Sequence, residues 1–229
     1  MEYKNIKAIL FDSGRTLNVP RTGHWFITPN FFNIVNKGNF EINENELELA
    51  MEKACNHINK ILTVITEEEE FLMFKEFYEI VLNEIKYPYI SKNIINDLAK
   101  DNVYNDEKFL FFDDVQPSLE KLSDRYILGV VSDTWPSLER VFINKDLRKY
   151  FKTFVMSSIH GSYKSEKKLF RLALDEIKLN PKEVIFVDDS ESNLLAAEEF
   201  GLVPILIDRY GQDDLKSKYP IIRSLEELL

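Results

Sequence analysis

The chain has 229 residues, too many for one small module and few for two large ones, which leaves room for one sizeable core and an inserted subdomain. Apolar residues make up 45% and charged residues 30%, as in soluble globular proteins, and 39 acids against 29 bases give a net charge of −10 that excludes a general affinity for nucleic acid or anionic membranes. A single cysteine, Cys55, excludes an internal disulfide, and with no apolar leader in MEYKNIKAIL and no membrane-length apolar run, a cytoplasmic location without a membrane partner is expected.

In chain order, IKAILF (6–11) is the first apolar run and ends abruptly on Asp12. Such short runs without polar alternation predict strands covered on both faces. The stretch 20–107 then changes character. Leu47, Met51, Cys55, Ile58 and Leu62 step along one helical face, and Phe71, Phe74, Phe77 or Tyr78, and Val81 along another. Ile94, Ile95 and Leu98 follow Ser91, a predicted cap, while EEEE (67–70) reads as a solvated helix start. NVPRTG (18–23) and FFDDVQP (111–117) are its predicted hinges.

Beyond the second hinge the apolar runs return at YILGVVS (126–132), VIFVD (184–188) and VPILI (203–207). Helical patterns lie between them: Leu119 and Leu122 after Pro117; Leu138, Val141 and Phe142; and Phe170, Ala173, Leu174 and Ile177, with Ser165 as N-cap. Strand and helix in alternation predict an α/β fold, a doubly wound parallel sheet from 1–19 and 108–229, with an all-helical domain, 20–107, inserted after its first strand.

In such sheets ligands bind outside the carboxyl ends of the strands. There the sequence places Asp12, Ser132 with Asp133, and Asp188 with Asp189, and Lys164 lies in a loop before a helix. A strand-end acid alone serves equally to cap a turn. Together they make a nucleophilic carboxylate, a hydroxyl donor, a cation and an acidic pair. A carboxylate can attack phosphorus and divide one hard displacement into two easier ones. Mg²⁺ held by carboxylates would offset the charge of anion attacking anion.

The order and spacing of these segments resemble the haloacid dehalogenase (HAD) superfamily, in its helical-cap (C1) branch. ILFDSGRTL resembles the first motif, commonly D-x-D-G-T-L. LGVVSDT resembles the second and GSYKSEKKLFRLAL the third, with Ser165 where a Pro usually follows the Lys. VIFVDDSESNLLAAEEFGL resembles the fourth. The resemblance implies a Rossmann-like core with residues 20–107 as its cap, acting as a lid. It implies that Asp12 is the nucleophile and a Mg²⁺ ligand, that Asp189 is the main acidic ligand with Asp188 direct or through water, and that the Gly14 carbonyl is a further ligand. Ser132 and Lys164 would hold the phosphoryl group, and Asn193 would order the fourth-motif loop. Asp133, Arg15 and His24 complete the candidate substrate contacts.

Gly14 stands where the phosphatase pattern has a second Asp that protonates the leaving oxygen and activates water, a role worth ~10²–10⁴ in rate. Three functions remain open. The first is a Mg²⁺-dependent phosphohydrolase of small phosphorylated metabolites, working through an aspartyl-phosphate, with His24 or Asp133 as substitute acid or with substrates that need none. The second is a metal-independent dehalogenase-like C–halogen hydrolase, against which the Asp188–Asp189 pair argues. The third is a weakened HAD-fold binding or regulatory protein. The first is the sequence-based expectation, for a monomer or homodimer.

Overall fold

The computed structural model describes residues 5–36, 40–211 and 216–229. The chain begins on β1 (Ala8–Phe11) and β2 (Asn18–Pro20), continues through α1 (Phe31–Val35), α2 (Glu44–Ile58), α3 (Glu67–Glu84) and α4 (Lys92–Val103), and returns on β3 (Phe109–Phe111). There follow α5 (Val115–Ser123), β4 (Ile127–Ser132), α6 (Ser137–Asn144), β5 (Phe151–Met156), α7 (Ser157–His160), α8 (Lys168–Ile177), β6 (Val184–Asp188), α9 (Glu191–Phe200), β7 (Val203–Ile207) and β8 (Ile221–Ile222). Two compact units result, Met1–Val19 with Phe111–Leu229, and Pro20–Leu110. The return falls after Leu110 rather than after 107, because Asp106–Lys108 form a 3-10 turn whose Lys108 Nζ donates to Asn102 O (3.0 Å) and Oδ1 (2.6 Å).

Within the helical unit, α3 is started by a capping box between Thr66 and Glu69, and α4 by Ser91, whose side chain accepts from Ile94 N. Three differences from the sequence reading appear. The buried stripe of α2 is Leu47, Ala50, Met51, Ala54 and Ile58; Cys55 lies half-buried beside it, and Leu62 lies beyond the helix end and is exposed. Phe71 is only half-buried, the α3 face being Met73, Phe74, Phe77, Tyr78 and Val81. Glu70, the last of the acidic run, is buried rather than solvated.

The other unit holds a parallel six-stranded sheet in the order β5-β4-β1-β6-β7-β8, flanked by helices; β2 and β3 form a separate two-stranded sheet. β1 is wholly buried because both faces are covered. Ala8 and Leu10 share one cluster with Val184 and Phe186 of β6, Phe170 and Ala173 of α8, and Leu194 and Ala197 of α9. On alternate positions, Phe11 meets Phe151 edge-on at 6.5 Å, and Phe142 of α6 meets Phe151 at 5.7 Å. Gly129 permits the close approach of β4 to both neighbours: a Cβ there would stand 2.4 Å from Thr153 Cγ2 and 2.6 Å from Leu10 Cδ2. Ser165 is not a cap. It lies in the 3-10 turn Lys164–Glu166, and α8 begins after Lys167, at φ 66°. Among the described residues no helix is long and apolar enough to cross a membrane.

Candidate active site

Strand register assembles the site. Phe11 lies beside Val130 of β4 on one side and Val187 of β6 on the other. The residues just beyond, Asp12, Ser132 and Asp188, therefore emerge at one end of three adjacent strands. The order places β4 and β5 to one side of β1 and β6 and β7 to the other, so this end is a topological switch point. The pairing continues one step past β1, with Asp12 N donating to Val187 O at 2.9 Å.

Lys164 binds the set together. Its Nζ donates to Asp12 Oδ1 and to Asp188 Oδ2, both at 2.6 Å, and all three side chains are buried. Ser132 Oγ donates to the same Asp12 Oδ1 at 3.0 Å. Among the described residues, nothing bonds Asp12 Oδ2, so the carboxylate is gripped by one oxygen while the other stays available. Asn193 Nδ2 donates to both oxygens of Asp188 (3.2 and 3.1 Å), and Ser190 N donates to Oδ1 at 2.8 Å. Asp133 reaches solvent at the rim and accepts Lys164 N at 3.1 Å, which fixes the lysine's loop.

The charges do not balance within the protein. Burial lowers the Lys164 pKa, but Asp12, Asp188 and Asp133 outweigh it and hold the ammonium above the usual lysine range. One ammonium cannot offset the whole acidic group. Burial pushes Asp189 up to about 6, with the Asp12 charge adding and Arg15 and Lys164 opposing. Burial likewise raises Asp188 despite Lys164. Partial desolvation also raises Asp133 against the pull of Lys164.

Asp12, Asp188 and Asp189 each offer a carboxylate oxygen within 4.8 Å of the others. On one octahedral Mg²⁺ at ~2.1 Å, trans oxygens stand ~4.2 Å apart and cis oxygens ~3.0 Å, so the three carboxylates need only draw somewhat closer to share one ion. Excess buried negative charge and hard oxygen donors fit a divalent cation of this kind.

Gly14 lies on the loop that follows Asp12, half-buried and bridged to Asn18. Ser13 O accepts from the backbone N–H groups of Thr16, Leu17 and Asn18, and Ser13 Oγ accepts from Asn18 Nδ2 at 2.7 Å. Arg15 is exposed on this loop at φ 59°, a left-handed conformation that glycine adopts more cheaply. His24 belongs to the helical unit, where its Nδ1 accepts from Phe26 N and Ile27 N, both at 3.1 Å. Burial lowers its pKa, against Glu48, which favours the neutral ring in this local role.

Sequence reasoning missed Arg209, which holds the loop after Asp12 through Thr16 O, and Asp114, which anchors Arg209. Neither carries a local signal, since the contacts of Arg209 lie 193 and 95 positions away in the chain.

A haloacid dehalogenase-like hydrolase family model matches residues 6–201. The bifunctional epoxide hydrolase 2 of Rattus norvegicus is 37% identical over 62 residues, a match that takes in 27% of this chain and only 11% of that relative. A 2-haloacid dehalogenase of Pseudomonas syringae pv. Tomato DC3000 superposes with a TM-score of 0.69 at 17% identity, covering 97% of this chain and 96% of the other. The HAD-hydrolase YfnB of Bacillus subtilis, crystallised bound to magnesium, superposes at 0.67 with 15% identity over 98% and 97% of the two chains. With the family match running from β1 to α9 and taking in the inserted helices and Asp12, Asp133, Asp188 and Asp189, the chain belongs to the haloacid dehalogenase-like hydrolases.

Proposed function

We propose that the protein is a Mg²⁺-dependent phosphohydrolase of small phosphorylated metabolites, with Asp12 as the nucleophile. The observation that carries this reading is the acidic pair beside the gripped carboxylate: Asp188 and Asp189 each offer an oxygen within 4.8 Å of one from Asp12. That much negative charge would repel any anionic substrate, so a cation is needed before a phosphate can approach. Displacing a halide calls for no such arrangement.

Asp12, Asp188, Asp189 and the Gly14 carbonyl would hold Mg²⁺, which when bound neutralises charge on the phosphoryl oxygens. Asp12 attacks phosphorus through the oxygen that Lys164 and Ser132 leave available. The bond from phosphorus to the leaving oxygen breaks, and its electron pair departs with that oxygen. Lys164 and Ser132 donate to the phosphoryl oxygens as charge shifts onto them. Water then attacks phosphorus as the bond from phosphorus to the Asp12 oxygen breaks, its electron pair returning to the carboxylate; the water's protons leave on the phosphate, which sheds one to solvent. Gly14 can supply no proton to the leaving oxygen. Acyl and aryl phosphates, whose leaving groups depart as stable anions, are the substrates this site handles best, and Asp133 and Arg15 contact them at the rim.

The test is phosphate release from acetyl phosphate, p-nitrophenyl phosphate and a simple alkyl phosphate, with Mg²⁺ and after chelation. Turnover should require Mg²⁺, and the first two should exceed the alkyl ester by ~10² or more, the value of the missing acid. Metal-independent halide release from a 2-haloacid, with no phosphate release, would overturn the reading.

A pH dependence follows from the raised carboxyls. With folded-state values above the unfolded ones, Asp188 and Asp189 bind more protons in the folded protein between about pH 4 and 7, so their contribution to stability falls as pH rises through that window. Mg²⁺ captures the deprotonated form and stabilises by mass action. The rise in melting temperature on adding Mg²⁺ should therefore be larger at pH 8 than at pH 5. Equal shifts at the two pH values would argue against these carboxylates as the ligands.

A further inference from the structure

The geometry points to Arg209 as a positioning residue for the nucleophile loop, acting through the Thr16 carbonyl; its bearing on the metal rests on the function proposed above. Arg209 leaves the end of β7, and its side chain is only 4% exposed. Nε and Nη2 both donate to Thr16 O, at 2.9 and 2.7 Å, while Nη1 donates to Asp114 Oδ2 at 2.7 Å. The guanidinium also stacks 4.3 Å from the centre of the Phe112 ring. Asp114 is anchored in turn, since the same Oδ2 accepts Ser224 Oγ at 2.9 Å and Leu225 N at 2.7 Å.

The placement gives this clamp its meaning. Thr16 lies two positions after Gly14 on a loop folded around the Ser13 carbonyl, so holding Thr16 O fixes where the Gly14 carbonyl stands relative to Asp12. Phe112 and Asp114 lie on the returning segment, and Phe112 N donates to Leu17 O at 3.2 Å. One guanidinium therefore ties together the nucleophile loop and the segment that re-enters the sheet unit. A planar fork can do this; a lysine, as a point charge, cannot bind Thr16 O twice and still reach Asp114.

The test compares wild type with Arg209→Met, Arg209→Lys and Asp114→Asn, each kept well below its unfolding midpoint. Two quantities are read: Mg²⁺ affinity by calorimetry, and amide hydrogen exchange of residues 13–18 against the β1 and β6 amides. In Arg209→Met, Mg²⁺ binding should weaken about ten- to a hundredfold, as for residues that orient metal ligands, and exchange should quicken in 13–18 but not in the sheet. Arg209→Lys should recover only part of both. If Arg209→Met does not fold, Asp114→Asn should show the same pattern in weaker form. Folded variants with wild-type Mg²⁺ affinity and unchanged exchange at 13–18 would overturn the proposal. If wild type itself binds no Mg²⁺, the metal reading fails, and the clamp stands or falls on the exchange of 13–18.

Discussion

Asp12→Asn should abolish turnover, lowering kcat by at least ~10⁴-fold while leaving the fold intact. The amide has the shape of the carboxylate, and its oxygen can still accept from Ser132 Oγ and Lys164 Nζ, which now hold Asp12 Oδ1 at 3.0 and 2.6 Å. What it lacks is a nucleophilic oxygen, because the amide is neutral and its nitrogen lone pair is delocalised. The charge balance also predicts stability. Removing one carboxylate from a group that a single ammonium cannot neutralise relieves repulsion at Asp188 and Asp189, whose values are raised first by burial and further by the Asp12 charge. Without Mg²⁺, the variant should thus melt no lower than wild type. Phosphate release and thermal unfolding measure the two effects separately. An Asn variant that keeps more than about 1% of wild-type turnover would remove Asp12 from the chemistry, since loss of a nucleophile costs far more than that.

How much of this was legible in the sequence depended on whether the signal was local. β6 and β7 coincide with VIFVD and VPILI, because a strand inside the sheet is apolar on both faces and reads as an unbroken run. β5 was missed: it lies at the sheet edge, and Lys152 and Thr153 interrupt its apolar character. The stripe of α2 departs from the large-residue pattern because Ala50 and Ala54, small and fully covered, complete it where Cys55 and Leu62 do not. Ser165 failed as a cap because chain geometry chose Lys167 in a left-handed conformation instead. The acids at the site were legible because each stands at the end of an apolar run, and the sheet's register then brings them together. The Arg209–Asp114 brace was not, since nothing in the sequence near either residue marks the other.

Lys164→Met should be the most damaging change to stability, because it leaves Asp12 and Asp188 facing each other with no charge between them. Lys164 and Asp188 are almost wholly buried, and both ion pairs measure 2.6 Å. Removing one partner of a buried pair typically destabilises by ~3–5 kcal/mol, because the remaining charge is left without compensation. Methionine nearly matches the lysine stem in length, so packing loss contributes little and the effect reports the charge. The loss should shrink as pH falls. Asp188 is already raised against the opposing charge of Lys164, and without that charge it rises further, so protonation relieves the repulsion at a higher pH than in wild type. Mg²⁺ should also restore part of the stability at pH 8, by supplying the missing positive charge. Turnover should not return with it: the donor to the phosphoryl oxygens is gone, a loss of ~10²–10³ in rate. Urea unfolding at pH 5.5 and 8, with and without Mg²⁺, separates these effects. A variant as stable as wild type at pH 8 without Mg²⁺ would mean that the carboxylates are not held together by Lys164, and the convergence on which the proposed reaction stands would be lost.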